Sequence, residues 1–150
     1  SFTKSDREYS QLSVGASQVA PFICYEVVYP DFVTDGAKGS NWLVTVSNDS
    51  WFGDSIGPLQ HLQMARFGAL ATARPMLRGT NNGVSAIIDH KGQLIQTSPQ
   101  FVETTLRGEL QPRAGSTPIM ITGSWPALLL AAFVVIGARW RHTKSRQVTV

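Results

Sequence analysis

The sequence predicts an α/β domain followed by one membrane-spanning helix. Three observations lead there. A strand, a short helix and a second strand follow one another between Ser17 and Val46; an amphipathic helix lies between Pro58 and Pro75; and residues 114–138 hold no charge. Alternating strands and helices favour a βαβ unit with parallel pairing. An apolar run of about 20 residues matches the hydrocarbon thickness of a bilayer. At 150 residues the chain has room for about one domain.

Residues 1–13 are polar and are expected to form a loop. Residues 17–24 (Ser-Gln-Val-Ala-Pro-Phe-Ile-Cys) read as a strand. Residues 30–39 read as a short helix, with Pro30 at its start and Gly39 at its end. The run Trp42-Leu43-Val44-Thr45-Val46 has high β-propensity and stops at the turn-rich Ser47-Asn48-Asp49-Ser50. The helix opening at Pro58 or Leu59 continues to about Ala73, where Pro75 stops it. Its expected apolar stripe is Leu59, Leu62, Ala69, Leu70 and Ala73, with Arg66 inside it. Residues 83–89 and 93–97 alternate around His90-Lys91-Gly92 as a hairpin, and residues 102–110 suggest one more strand. Pro112 to Ser116 link this domain to the apolar run.

Residues 119–138 supply twenty mostly apolar positions, with Trp125 and Trp140 available for the two interfaces. Arg139, Arg141, Lys144 and Arg146 follow directly. This basic end predicts a cytoplasmic C-terminus and places the preceding domain outside the cytoplasm. The alternative is a buried C-terminal helix. The same four residues account for the net charge of +3, because residues 1–138 carry nine Lys/Arg against ten Asp/Glu. A nucleic-acid face is therefore not expected. The divisions expected are 1–113 as the α/β domain, 114–138 as the transmembrane helix and 139–150 as a basic tail. The polar start Ser1-Phe2-Thr3-Lys4 has no initiator Met, so the chain is expected to be the C-terminal part of a longer protein.

Cys24 is the only cysteine, and it ends the first strand with Tyr25 and Glu26 after it. A thiol held rigidly there, beside the N–H groups of the following turn, suits a nucleophile whose reaction develops an oxyanion. A buried, inert cysteine is the other reading. Glu26 is either a second acid beside the thiol or a solvated carboxylate. Arg66 either pairs with Glu26 or Asp49 behind the site or extends to the surface. Trp51 and Phe52 either line an apolar entrance, insert near the membrane or simply pack in their loop, and Asn81-Asn82-Gly83 serves either substrate binding or a turn. His61, His90 and His142 lack metal-ligand spacing, so no metal is expected, and without a Gly-rich phosphate loop no nucleotide cofactor is expected either.

Four groups of residues recur in one order: Cys24-Tyr25-Glu26, Ser47-Asn48-Asp49-Ser50-Trp51-Phe52, Gln60-His61-x-Gln63-Met64-Ala65-Arg66, and Arg74-Pro75-x-x-Arg78-x-Thr80-Asn81-Asn82-Gly83. Together they closely resemble the C-terminal half of the bacterial apolipoprotein N-acyltransferases, a membrane-anchored branch of the nitrilase, or carbon–nitrogen hydrolase, superfamily. The resemblance implies an αββα sandwich carried on membrane helices in the bacterial inner membrane, with the catalytic domain periplasmic. It implies transfer of an acyl chain from a phospholipid to the N-terminal diacylglyceryl-cysteine of an apolipoprotein. Cys24 is then the nucleophile that holds the acyl group as a thioester. Tyr25 and Glu26 shape the site, Trp51, Phe52 and Asn82 meet substrate, and Arg66 and Asp49 support them. The superfamily triad also needs a Glu and a Lys, which the resemblance puts upstream; Lys38 and Lys91 lie where lysine is usually solvated. Two other readings stay open, an amidase or nitrilase in which water resolves the acyl-enzyme, and a non-catalytic membrane-anchored copy.

Overall fold

The computed structural model describes the backbone of residues 10–147 and the side chains of residues 10–140. Residues 1–9 of the expected 1–13 loop, and the side chains of Arg141, His142, Lys144 and Arg146, lie outside the described residues, while Leu12 and Ser13 of that expected loop are in a strand, paired with Val19 and Gln18.

Six strands form one sheet in chain order: β1 (Leu12–Val14), β2 (Ser17–Ile23), β3 (Trp42–Ser47), β4 (Met76–Thr80), β5 (Ala86–Ile88) and β6 (Leu94–Thr97). The centre is parallel, because β2 reaches β3 through α1 (Pro30–Gly36) and β3 reaches β4 through α2 (Gly57–Thr72). The flanks β1–β2, β4–β5 and β5–β6 are antiparallel. Ala20 and Phe22 of β2, Leu43 of β3, Met76 of β4 and Ala86 and Ile88 of β5 point to one face. There they meet Val33 and Ala37 at α1, Leu62, Ala65 and Ala69 of α2, and Met120 of α3 (Pro118–Thr122). The expected βαβ unit and the 83–97 hairpin are present.

Several expectations change. The stretch 76–80, not expected as a strand, is β4, a short strand that opens directly after Pro75 and contains Gly79. Residues 102–110 form no strand: the segment runs over the other sheet face, where Thr104, Thr105 and Leu106 line a cavity with Val44, Val46 and Leu77 and Gly108 lies close against Ile87. The described residues make one sheet with one helical layer, so the αββα sandwich is not formed among them. The opposite face stays partly open, with Ile23 and Val46 exposed. The buried stripe of α2 is Pro58, His61, Leu62, Ala65, Gly68, Ala69 and Thr72, while Leu59 and Leu70 face outward. Ala73 is not on a stripe at all but caps the helix in the left-handed region, φ 50°. The following Arg74 cannot continue the helix because it precedes Pro75.

The apolar run 119–138 is not one helix. α3 ends at Gly123, whose φ of 58° suits glycine, and α4 (Trp125–Gln147) starts afresh. Among the described residues no helix is long and apolar enough to cross a membrane. The uncharged part of α4, residues 125–138, covers only about 21 Å at about 1.5 Å per residue. Its Leu128, Leu129, Leu130, Phe133, Val134, Val135 and Ile136 are all exposed. The strap leading to it is held by buried Arg74, which donates to the carbonyls of Ser40 (2.7 Å), Thr72 (3.2 Å) and Gly115 (2.5 Å). With only carbonyl partners, burial lowers the Arg74 guanidinium below its ordinary range.

Candidate active site at the carboxyl ends of the parallel strands

Cys24 is the first residue beyond β2 and opens a 3₁₀ turn, Cys24–Val28. Its φ of 52° lies in the left-handed region, where a non-glycine residue costs about 1–2 kcal/mol. Such strain persists where surrounding contacts over-determine the backbone. Two contacts do so here. The Glu26 carboxylate accepts the Ile23 N–H at 2.7 Å, and the His61 ring nitrogen Nε2 lies 3.1 Å from the Cys24 carbonyl oxygen. Glu26 thus braces the turn that presents the thiol, which is itself half-buried.

Strand register explains what meets the thiol. Ile23 pairs with Val46 across the parallel β2–β3 ladder, so the next residues, Cys24 and Ser47, are neighbours. Ser47 Oγ lies 3.5 Å from Cys24 Sγ and 2.6 Å from Asp49 Oδ1. Asp49 is buried, and its other oxygen accepts from Arg78 Nη2 at 2.7 Å. His61 Nδ1 lies 3.0 Å from Asp49 Oδ1. Both His61 ring nitrogens therefore face acceptors, and only the doubly protonated ring makes both contacts hydrogen bonds. Burial pushes the Arg78 guanidinium down from its ordinary range; the Asp49 carboxylate opposes this most, and the Cys24 sulfur also favours the cation. Arg78 Nε and Nη1 are buried without a partner.

The loops after β3 and β4 are stitched together over this centre. The Asn81 side chain accepts from the Asp49 N–H at 3.2 Å and donates to Asn48 Oδ1 at 2.7 Å and Ser50 Oγ at 2.9 Å. Gly83 lies against the Asp49 carboxylate so closely that a Cβ there would strike it. Asn82 Oδ1 is buried with no partner.

Of the residues expected at the site, Cys24, Glu26 and Asp49 come together. Tyr25 is exposed beside them, its ring 6.2 Å from that of His61. Phe52 approaches the other side of His61 at 6.1 Å, while Trp51 is 85% exposed. Arg66 is elsewhere: it pairs with neither Glu26 nor Asp49 but donates to the Gly92 carbonyl at 2.8 Å and to Gln63 Oε1 at 2.9 Å, fastening the β5–β6 hairpin to α2. Three participants stand in the quoted motifs but carry no site role from sequence alone: Ser47, His61 and Arg78. His61 stands three residues after Pro58 on the buried helix face, and Arg78 sits on a strand whose existence was itself unexpected. Lys38 pairs with Asp35 at 2.6 Å, as expected of a solvated lysine. Among the described residues no group of three His, Cys, Asp or Glu side chains could hold a metal.

A strained cysteine at the carboxyl end of a parallel strand, backed by a buried acid–base cluster, is a nucleophile's setting. Residues 1–119 match the carbon–nitrogen hydrolase family model. The chain belongs to the carbon–nitrogen hydrolase family. It is 47% identical over 97% of its length to the apolipoprotein N-acyltransferase of Pseudomonas paraeruginosa, and 45% and 40% identical, again over 97%, to those of Azotobacter vinelandii and Vibrio vulnificus. It spans 28–29% of the length of these relatives. Among solved structures, it is similar to a carbon–nitrogen hydrolase from Helicobacter pylori G27, with a TM-score of 0.60 and 15% identity, covering 68% of this chain and 43% of that one. An amidase from Nesterenkonia sp. superposes with a TM-score of 0.54 at 19% identity, covering 67% and 40%. These two likenesses establish a shared fold.

Proposed function

We propose that this chain is the nucleophile-bearing part of a bacterial membrane N-acyltransferase that moves an acyl chain from a phospholipid to the N-terminal diacylglyceryl-cysteine of an apolipoprotein. The observation that carries this reading is Cys24 at the strained turn after β2, with Ser47 at its sulfur and its carbonyl held by His61. The names of the similar relatives supply the substrate class.

In the first half-reaction the Cys24 thiolate attacks the phospholipid ester carbonyl. A C–S bond forms, the C–O bond breaks, and the lysophospholipid alkoxide leaves with a proton. In the second, the acceptor's α-amine attacks the thioester: a C–N bond forms, the C–S bond breaks, and the sulfur recovers its proton. N–H groups of the Cys24–Val28 turn, which follow the thiol directly, serve as backbone donors for the oxyanion of each tetrahedral intermediate. The superfamily's Glu and Lys, which would take and return the proton, are expected upstream of Cys24; Lys38 is engaged with Asp35 and Lys91 lies in the β5–β6 turn. Glu26 and Tyr25 shape the turn, Trp51 and Phe52 offer apolar surface to the acyl chain, and Asn82 lines the cavity beside the loop after β4, where it meets the polar part of the substrate. The exposed apolar surface of α4 is the part that meets the membrane, joined to the catalytic domain through the Arg74 clamp, with that domain on the periplasmic side of the inner membrane.

The test is acyl-enzyme trapping. The intact protein in detergent is incubated with phospholipid and no acceptor, then analysed by intact and peptide mass spectrometry. A hydroxylamine-labile acyl adduct on the Cys24 peptide is the expected result. A folded protein that gains no adduct overturns the reading, and an adduct that water clears as fast as an amine does would make the protein a hydrolase.

A further inference from the structure

We propose that Ser47 is the hydrogen-bond partner of the Cys24 nucleophile, oriented by Asp49, and that its hydroxyl turns between carboxylate and sulfur as the thiol ionises. The proposal deepens the reading of Cys24 as nucleophile and rests on it.

Ser47 has one hydroxyl proton and two neighbours that can use it. Asp49 Oδ1 is 2.6 Å away and Cys24 Sγ is 3.5 Å away, within reach of a hydrogen bond to sulfur. While the sulfur carries its proton, the Ser47 proton goes to the carboxylate, the stronger acceptor, and the Ser47 oxygen accepts from S–H. When Sγ gives its proton to a base, the thiolate becomes an acceptor, and among the described side chains the donor in reach is Ser47 once it rotates towards it. Asp49 can release that proton because it has other donors: His61 Nδ1 at Oδ1 and Arg78 Nη2 at Oδ2.

The surroundings hold the partners of this hydroxyl in place. Register places Ser47 beside Cys24 at the ends of two parallel strands, so neither backbone needs to move. Asp49 is fixed by Asn81 on its backbone N–H and by Gly83 behind its carboxylate. The titratable and charged groups packed around the thiol are Tyr25 and Glu26 from its own turn, Asp49 from the loop after β3, His61 from α2 and Arg78 from β4. Of these, Glu26 is committed to the Ile23 N–H, and Arg78 bonds Asp49 through Nη2 and acts on the sulfur as a nearby charge, so Ser47 is the described side chain within hydrogen-bond reach of Sγ.

The probe is iodoacetamide, which the thiolate alkylates with loss of iodide, read as the rate of carboxamidomethylation of the Cys24 peptide in the intact protein. Ser47→Ala is expected to slow alkylation about fivefold at pH 7 and to leave it unchanged at a pH high enough to ionise the thiol fully. Ser47→Thr, which keeps the hydroxyl, is expected to restore the pH 7 rate to within about twofold. An Ala variant as fast as the parent at pH 7 overturns the proposal. Equal slowing at both pH values overturns it too, because that reports altered access; so does a Thr variant as slow as Ala. If this pattern holds while no acyl adduct forms on Cys24, the hydrogen-bond assignment stands and the acyltransferase reading falls.

Discussion

Asp49→Asn removes one charge from a pair whose two side chains are both 0% exposed. The oxygen–nitrogen separation is 2.7 Å. With charge centres about 4 Å apart and an effective dielectric near 20, the direct attraction is about 4 kcal/mol. The substitution also turns one of the two Asp49 oxygens into an NH₂ donor. Whichever side it occupies, it faces a donor: Arg78 at one oxygen, Ser47 and His61 at the other. Arg78 already has Nε and Nη1 buried without a partner, so the guanidinium has nothing else to turn to. Breaking a buried pair on one side costs about 3–5 kcal/mol. That is a large part of the roughly 5–15 kcal/mol that stabilises a domain. The expected outcome is a fall in melting temperature of about 8–15 °C, followed by intrinsic tryptophan fluorescence of the intact protein. Adding Arg78→Met in the same background should recover about half the loss, since it removes the stranded charge. An Asp49→Asn protein within about 1 kcal/mol of the parent, or a double variant no better than the single, would refute the argument that this pair is what holds the site together.

Cys24→Gly should end acyl transfer yet leave the melting temperature within about 2 °C of the parent or above it, because relief of the left-handed strain at φ 52° offsets the flexibility of glycine. Gly83→Ala places a methyl group on the Asp49 carboxylate and should cost about 1–3 kcal/mol, with acyl transfer lost in proportion, measured by unfolding and by lipid transfer side by side. Trp51→Ala removes a side chain 85% exposed, so stability should stay within about 0.5 kcal/mol while the KM for phospholipid rises; an unchanged KM would remove Trp51 from the acyl-chain surface. Leu129→Asp with Phe133→Asp on the exposed face of α4 should shift the protein from the membrane pellet towards the supernatant on fractionation, and full retention would argue against α4 as the embedded part.

Local sequence carried much of this architecture. Apolar runs of β-branched and aromatic residues between turn signals marked β2 and β3, and Pro58 and Pro75 bracketed α2, because these effects act within a few residues. Cys24 and Asp49 stood out through their place in an ordered set of motifs. What the chain order cannot encode is which side of a helix faces the sheet, and which strand ends become neighbours. His61 and Arg78 became site residues because α2 turns that face inward and because β4 exists only through its pairing with β3 and β5. Arg66, placed by spacing near the site, is drawn instead to the hairpin carbonyl of Gly92. The apolar run 119–138 read as one helix by composition, yet Gly123 breaks it, since a single left-handed residue redirects a chain whatever its hydropathy. Sequence by itself marked most of the elements, the candidate nucleophile Cys24 and the family; tertiary structure decided the partners, because burial and hydrogen bonding are settled between elements that meet only on folding.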